Sequence, residues 1–223
     1  MLGRLDEALA RERRFTADAA HELRTPLAAL RIQLEVASQS PRPDARRKAL
    51  LQALAGCERA AHLVSQLLKL ARLDQARPAL ARIDLAALVH AAAQGIAPPA
   101  CVALTGPWQV AGHAGLLEIL LRNLLDNARR YGGPGATVTL RREGDALLVE
   151  DNGPGVPPAL LARLDERFFR VHPEDSQGVG LGLSIVRRVA QLHGAALSWS
   201  NRAEGGFAIR LALPATGQTH GTD

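Results

Sequence analysis

From Arg4 to Gln39 the chain contains no glycine, and an apolar or small residue recurs at Thr16, Ala20, Leu23, Leu27, Leu30, Leu34 and Ala37 in alternating steps of four and three. That spacing keeps one stripe in line along a helix, so the stretch predicts a single long amphipathic helix. Ser40-Pro41-Arg42-Pro43-Asp44 ends it, because proline cannot continue the backbone ladder, and Asp44 is placed to cap a following helix. Leu50, Leu54, Cys57, Ala61, Val64, Leu68 and Ala71 repeat the same stepping. Two such helices joined by a short loop predict an antiparallel hairpin. A lone hairpin cannot cover both stripes. A second copy completing a four-helix bundle covers them most economically, which predicts a homodimer.

The helical pattern stops at Ala76-Arg77-Pro78-Ala79, where proline disfavours a helical residue before it, so a linker is expected there. The rest of the chain mixes helical patterns over 85–93, 114–130 and 183–193 with strand-like runs over 137–141, 146–150, 195–200 and 207–213. Strands in hairpins with helices on one face predict an α+β sandwich. A length of 223 residues at 47% hydrophobic content suffices for two such domains. The net charge of +5 comes from arginines scattered among acids with no interleaved aromatics, so no nucleic-acid surface is expected. Cys57 and Cys101 lie far apart without a metal-ligand neighbour, and are expected to be reduced interior residues. No run approaches the roughly 20 apolar residues that cross a bilayer, and the start does not read as a signal peptide.

Chemistry concentrates in five short segments. In Phe15-Thr16-Ala17-Asp18-Ala19-Ala20-His21-Glu22-Leu23-Arg24-Thr25-Pro26-Leu27 a histidine stands beside an acid. With Ala20 and Leu23 in the stripe, His21 lies on the exposed shoulder with Thr25 one turn along, so the pair suggests a nucleophile with its own base. Taken alone, His21-Glu22 is more often two solvated residues on a helix face. In Asn123-Leu124-Leu125-Asp126-Asn127-Ala128-Arg129-Arg130-Tyr131 the spacing of four puts Asn123 and Asn127 on one helix face, where amide oxygens can coordinate Mg²⁺. Asp151-Asn152-Gly153-Pro154-Gly155-Val156-Pro157 comes after a strand; its carboxylate can accept an amine, and its glycines permit close approach, although alone it is a good turn. Arg167-Phe168-Phe169-Arg170 reads equally as a helix end packing two aromatics. Gly178-Val179-Gly180-Leu181-Gly182-Leu183-Ser184 opens a helix whose free N–H groups suit phosphate oxygens, without the Lys-Ser/Thr of a Walker loop.

Taken in order, these segments resemble the H, N, G1, F and G2 boxes of bacterial sensor histidine kinases, most like the class with a PmrB- or QseC-like core. The resemblance covers essentially the whole chain. It implies a dimeric helical hairpin over 1–76, whose first 14 residues end an upstream signalling helix, a linker over 77–83, and a GHKL (Bergerat) ATP-binding domain over 84–215, with a disordered tail over 216–223. It implies that His21 is the phosphoacceptor, Glu22 its base, and Thr25 the residue that orients water for dephosphorylating a response regulator. It further implies ATP and Mg²⁺ as cofactors, Asn127 as the principal metal ligand with Asn123 nearby, Arg130 toward the phosphates, Tyr131 and Asp151 toward adenine, and Arg170 toward the γ-phosphate. Gly153, Gly155, Gly178, Gly180, Gly182 and Leu183 would line the nucleotide. The polar stretch 172–177 reads as a mobile lid, and Pro26 as a loosening of the helix near His21.

The implied partners are a second copy and a response regulator, and the implied place is the cytoplasmic portion of an inner-membrane sensor, attached through transmembrane segments upstream. Two departures stand out: His113 occupies a position where the family usually has aspartate, and 97–112 is proline-rich and short for the strand and turn expected there. A clamp-type ATPase would need no His21-Glu22 pair, and a non-catalytic dimerisation protein would not need Asn127, Asp151 and the glycines.

Overall fold

The glycine-free stretch folds into one helix. The computed structural model describes residues 2–96, 100–133, 135–171 and 178–214, with side chains from Phe15 onward. In it α1 spans Leu2–Gln39 and α2 spans Pro43–Gln75. The expected lid over 172–177 and tail over 216–223 lie outside the described residues. The chain divides into two compact units that meet between Ala71 and Arg72.

In the first unit α1 continues through Pro26, which cannot donate to the Glu22 carbonyl one turn back. Asp44 does not cap α2: Pro43 is already helical and Arg42 supplies the first accepting carbonyl, to Arg46 N at 3.0 Å. Ser40 Oγ instead takes the Arg42 N–H at 3.3 Å, and Asp44 sits in the first turn, where its charge complements the helix dipole. The hairpin also packs on a different face of α2 from the expected one. Ala49, Ala53, Gly56, Ala60, Leu63, Leu67 and Leu70 are buried or half-buried, each one residue before the predicted stripe. Small residues make up much of this face, and a side chain added at Gly56 would meet Leu30 Cδ1 at 3.7 Å, an ordinary contact. The predicted stripe of α2 faces out, with Leu54 62% and Leu68 54% exposed, whereas that of α1 is mixed: Leu27 is 56% exposed, Leu23 and Leu30 are half-buried and Ala37 is buried.

The second unit pairs β1 (Ala81–Asp84) with β3 (Gln109–Gly112), and builds a five-stranded sheet in the order β2-β4-β5-β7-β6. Its strands are β2 (Cys101–Ala103), β4 (Val138–Glu143), β5 (Ala146–Asp151), β6 (Ala196–Asn201) and β7 (Phe207–Ala212). β2 runs parallel to β4 and the remaining neighbours are antiparallel. Helices α3 (Leu85–Gln94), α4 (Ala114–Gly132) and α5 (Gly182–Leu192) complete the sandwich, with α4 on β4 and β5 and its two neighbours against its flanks. Leu117, Leu120, Leu124, Leu140, Leu147, Val149, Ile185, Val189 and Leu211 form its core. The proline-rich region 97–112 thus supplies two strands, which are only three and four residues long and carry no clear alternation to reveal them. Asp84 ends β1 and caps α3, its Oδ1 accepting from Ala86 N and Trp108 N at 3.0 Å each. Both cysteines are exposed, not interior, because Cys57 lies on the outward stripe of α2 and Cys101 on an edge strand.

Candidate functional site

On α1 the His21 and Thr25 side chains are exposed and Glu22 is half-buried. Adjacent helical residues diverge by about a quarter-turn. Among the described residues no hydrogen bond engages the His21 ring, and its nitrogens are open to a partner.

The second unit gathers four of the motifs at one end of its helical layer. α4 starts at the N-cap His113, whose Nδ1 accepts from Leu116 N at 3.3 Å, a capping role equivalent to the aspartate expected there. Behind it, buried His193 accepts the His113 N–H on Nε2 at 3.0 Å, which leaves Nδ1 to donate to the Val189 carbonyl at 2.8 Å. Burial lowers the His193 pKa, and the nearby His113 adds to the effect. The helix start is therefore held by a neutral imidazole.

At the other end of α4, Asn127 lies against the first residue of α5. A side chain on Gly182 would come within 3.0 Å of Asn127 Oδ1, and one on Gly178 within 3.0 Å of Tyr131 Oη and 3.2 Å of Arg130 Nη1. Glycine keeps that space empty. Asn123 differs from its neighbour: its Nδ2 donates back to the Ile119 carbonyl at 2.8 Å, which holds the amide close to its own helix. The N-cap of α5, Leu181, makes no side-chain cap bond, and Ser184 Oγ turns back to the Leu181 carbonyl at 2.8 Å. The first N–H groups at Gly182 and Leu183 thus have no capping side chain, as an anion site requires.

Asp151 ends β5 and is 6% exposed. Its Oδ1 accepts from Gly153 N at 2.9 Å and from Phe207 N at 3.3 Å, while Oδ2 has no donor among the described residues. Burial raises its pKa, partly offset by those two N–H groups and by Arg202. Gly153 fits against α4 so closely that a side chain there would lie 2.6 Å from Gly132 Cα. Phe168 N donates to the Gly180 carbonyl at 2.9 Å, which joins the fourth motif to the fifth. Both residues occupy the left-handed region, at φ 65° and 74°. Arg170 is half-buried, and no described contact brings it to Asn127 or Asp151.

The motifs do not include the turn before β7, whose Phe207 N–H reaches Asp151; the Gly205-Gly206 pair is the available signal. An uncapped helix start, a cradle emptied by glycines, neutral amides and one buried carboxylate can together offer donors to phosphate oxygens and an acceptor to a base amine.

Residues 11–76 match the His Kinase A (phospho-acceptor) domain and residues 112–217 the histidine kinase-, DNA gyrase B-, and HSP90-like ATPase family. Sensor protein QseC of Salmonella typhimurium is 47% identical over 218 residues, which is 93% of this chain and 49% of the relative. Sensor protein kinase PmrB of Pseudomonas aeruginosa is 39% identical over 234 residues, covering 97% of this chain and 48% of the relative. The chain thus spans about half the length of the curated relatives it matches. Among solved structures, the mycobacterial sensor histidine kinase MprB is 34% identical and covers 60% of this chain and 97% of its own, with a TM-score of 0.54. The Acinetobacter baumannii histidine kinase AdeS, 24% identical and covering 86% of this chain and 98% of its own, shares the fold at a TM-score of 0.61.

Proposed function

Since the chain belongs to the sensor histidine kinases, in the PmrB/QseC-like group, we propose that it uses ATP to phosphorylate His21 and passes the phosphoryl group to an aspartate of a response regulator. The observation that carries this reading is the convergence of Asn127, Gly178, Gly182 and Asp151 around the ends of α4, β5 and α5, together with an exposed His21 on a separate helical unit. In that reading 1–76 is the dimerisation and phosphoacceptor hairpin, 77–83 the linker and 84–215 the catalytic domain.

The chemistry needs an unprotonated ring nitrogen on His21 to attack the γ-phosphorus as the bond to ADP breaks, with Glu22 accepting the ring proton. Catalysis rests on positioning and charge neutralisation, since phosphoryl transfer asks little covalent work of the protein. Asn127 would hold Mg²⁺, with Asn123 beside it, and the metal when bound neutralises phosphate charge. Arg130 and the α5 N–H groups face the phosphates, Arg170 the γ-phosphate, and Asp151 accepts the adenine amine while Tyr131 lies against the ring. Thr25, one turn from His21, orients the water that dephosphorylates the regulator.

The outward stripe of Leu27, Leu34, Leu50, Leu54 and Leu68 supports a homodimer, because leucines at such exposure on two parallel faces need covering. No helix among the described residues is long and apolar enough to cross a membrane; the reading as the cytoplasmic portion of an inner-membrane sensor rests on the likeness to the sensor proteins QseC and PmrB.

With Mg²⁺ and γ-labelled ATP the protein acquires acid-labile, base-stable label, and His21→Ala abolishes it; undiminished label in that variant refutes the assignment. Thr25→Ala spares autophosphorylation and slows regulator dephosphorylation, whereas equal loss of both denies Thr25 a separate role.

A further inference from the structure

Between β6 and β7 the chain turns through residues 201–207, which none of the nucleotide motifs includes, and this turn grips the loop 151–156 at both ends. The β5–β7 ladder stops at the pair Glu150 and Ala208, so the Asp151 carbonyl lies beyond it. Arg202 Nη1 donates to that carbonyl at 3.0 Å. Phe207, at the end of the same turn, supplies the N–H that holds Asp151 Oδ1. At the far end Asn201 engages both backbone groups of Val156, accepting its N–H on Oδ1 at 2.8 Å and donating Nδ2 to its carbonyl at 2.6 Å. The side-chain amide thus does what a neighbouring strand would do.

The fit is too close for other residues. Gly206, at φ 99°, has no room for a side chain, since its Cβ would overlap the Asp151 carbonyl oxygen, and at Gly155 a Cβ would lie 2.8 Å from Asn201 Oδ1. Glu150, at 3.7 Å, and Glu204, at 3.8 Å, keep the guanidinium in place by charge. Asp151 is therefore held at its carbonyl and at one carboxylate oxygen, and Oδ2 is the oxygen that has no donor among the described residues.

We propose that Arg202 and Asn201 are positioning residues for nucleotide selection: by fixing the Asp151 peptide and the loop after it, they aim Oδ2 at the exocyclic amine of a purine. This rests on the reading of Asp151 as the adenine-binding carboxylate. A group that merely supported the fold would affect all nucleotides alike, whereas one that aims Oδ2 affects only those that carry the amine.

The test is the dissociation constant of Mg-ATP against Mg-ITP, whose base has a carbonyl in place of the amine. Wild type prefers ATP, and Arg202→Met narrows the preference by roughly tenfold, as expected for a lost charge-assisted hydrogen bond, while ITP affinity stays unchanged. Arg202→Lys, which keeps the charge and a donor, retains most of the preference. If Arg202→Met does not fold, Asn201→Ala loosens the loop from its other end and narrows the preference in the same way. A parallel fall for both nucleotides, or an unchanged ratio in folded variants, overturns the proposal. A wild-type protein that binds ATP without preferring it to ITP overturns the assignment of Asp151 itself, before Arg202 is considered.

Discussion

Gly180→Ala should cripple nucleotide binding by displacing backbone, without removing any polar side chain from the site. Gly180 sits at φ 74°, where an alanine costs about 1–2 kcal/mol. Its new methyl carbon would lie 2.6 Å from the Phe168 carbonyl carbon, 2.7 Å from the Phe169 oxygen and 2.9 Å from Phe168 Cα. All three are backbone atoms, so no rotamer change relieves the overlap, and the two segments must separate. Separation lengthens the 2.9 Å bond from Phe168 N to the Gly180 carbonyl, a further loss of about 0.5–1.5 kcal/mol. It also frees Phe168 from the left-handed conformation that this bond helps to hold.

The sum is about 1.5–3.5 kcal/mol, which corresponds to roughly a 10- to 400-fold rise in the Kd for Mg-ATP if the strain is released by displacing the start of α5. Titration with a fluorescent ATP analogue reads the affinity, and thermal unfolding shows whether the domain remains folded. Gly144→Ala is the matched control: its φ is 61°, but nothing lies within 4 Å, so it should lower stability by about 1 kcal/mol and leave the Kd unchanged. A Gly180→Ala protein that binds ATP within threefold of wild type would refute the claim that this contact holds the phosphate-binding turn in place.

Three further outcomes rest on the same geometry. Asn127→Ala should raise the Kd for Mg-ATP by roughly tenfold or more and remove most of its Mg²⁺ dependence; the titration repeated in EDTA checks this, and a persisting Mg²⁺ effect would exclude Asn127 as the ligand. Leu54→Glu, at a position 62% exposed in one chain, should leave hairpin helicity nearly unchanged but weaken self-association by roughly a hundredfold, read by sedimentation velocity. His193 is buried and neutral, so its pKa lies below the ordinary 6.5; the unfolded chain then binds the proton first, and stability present above pH 6.5 is lost as pH falls below it. Each unit of depression is worth about 1.4 kcal/mol. Unfolding midpoints at pH 7.5 and 5.5 should differ more for wild type than for His193→Gln, and equal differences would deny His193 the role.

Much of the catalytic unit is legible in the sequence because its elements carry their own periodicity. The predicted helices over 85–93, 114–130 and 183–193 and the four predicted strands coincide with α3, α4, α5 and β4 to β7 within a few residues. β1 to β3 are not legible, because strands of three or four residues carry too few alternations to register. Among the site residues, spacing puts Asn123 and Asn127 on one helix face, whereas the roles of Asn127 and the glycines come from the family resemblance. Arg202 and Phe207 cannot be placed from spacing, since they reach Asp151 across 51 and 56 residues of chain. The exposure of both cysteines is hidden for a related reason: exposure belongs to a face, and a composition-based expectation does not know which face a residue occupies.

The α1–α2 hairpin divides the two sources of information most plainly. Spacing by itself determined that there are two long helices, where they break at Ser40-Pro41-Arg42-Pro43, and that each carries a leucine stripe, because helical periodicity and proline's missing donor act within a few residues. Only the tertiary structure decided which stripe meets which. The leucines are the strongest apolar signal, yet the hairpin closes on Ala49, Ala53, Gly56 and Ala60, one position earlier, and turns Leu50, Leu54 and Leu68 outward. Which face of a helix is covered depends on where the second helix lies, and the spacing of residues along one helix does not carry that information.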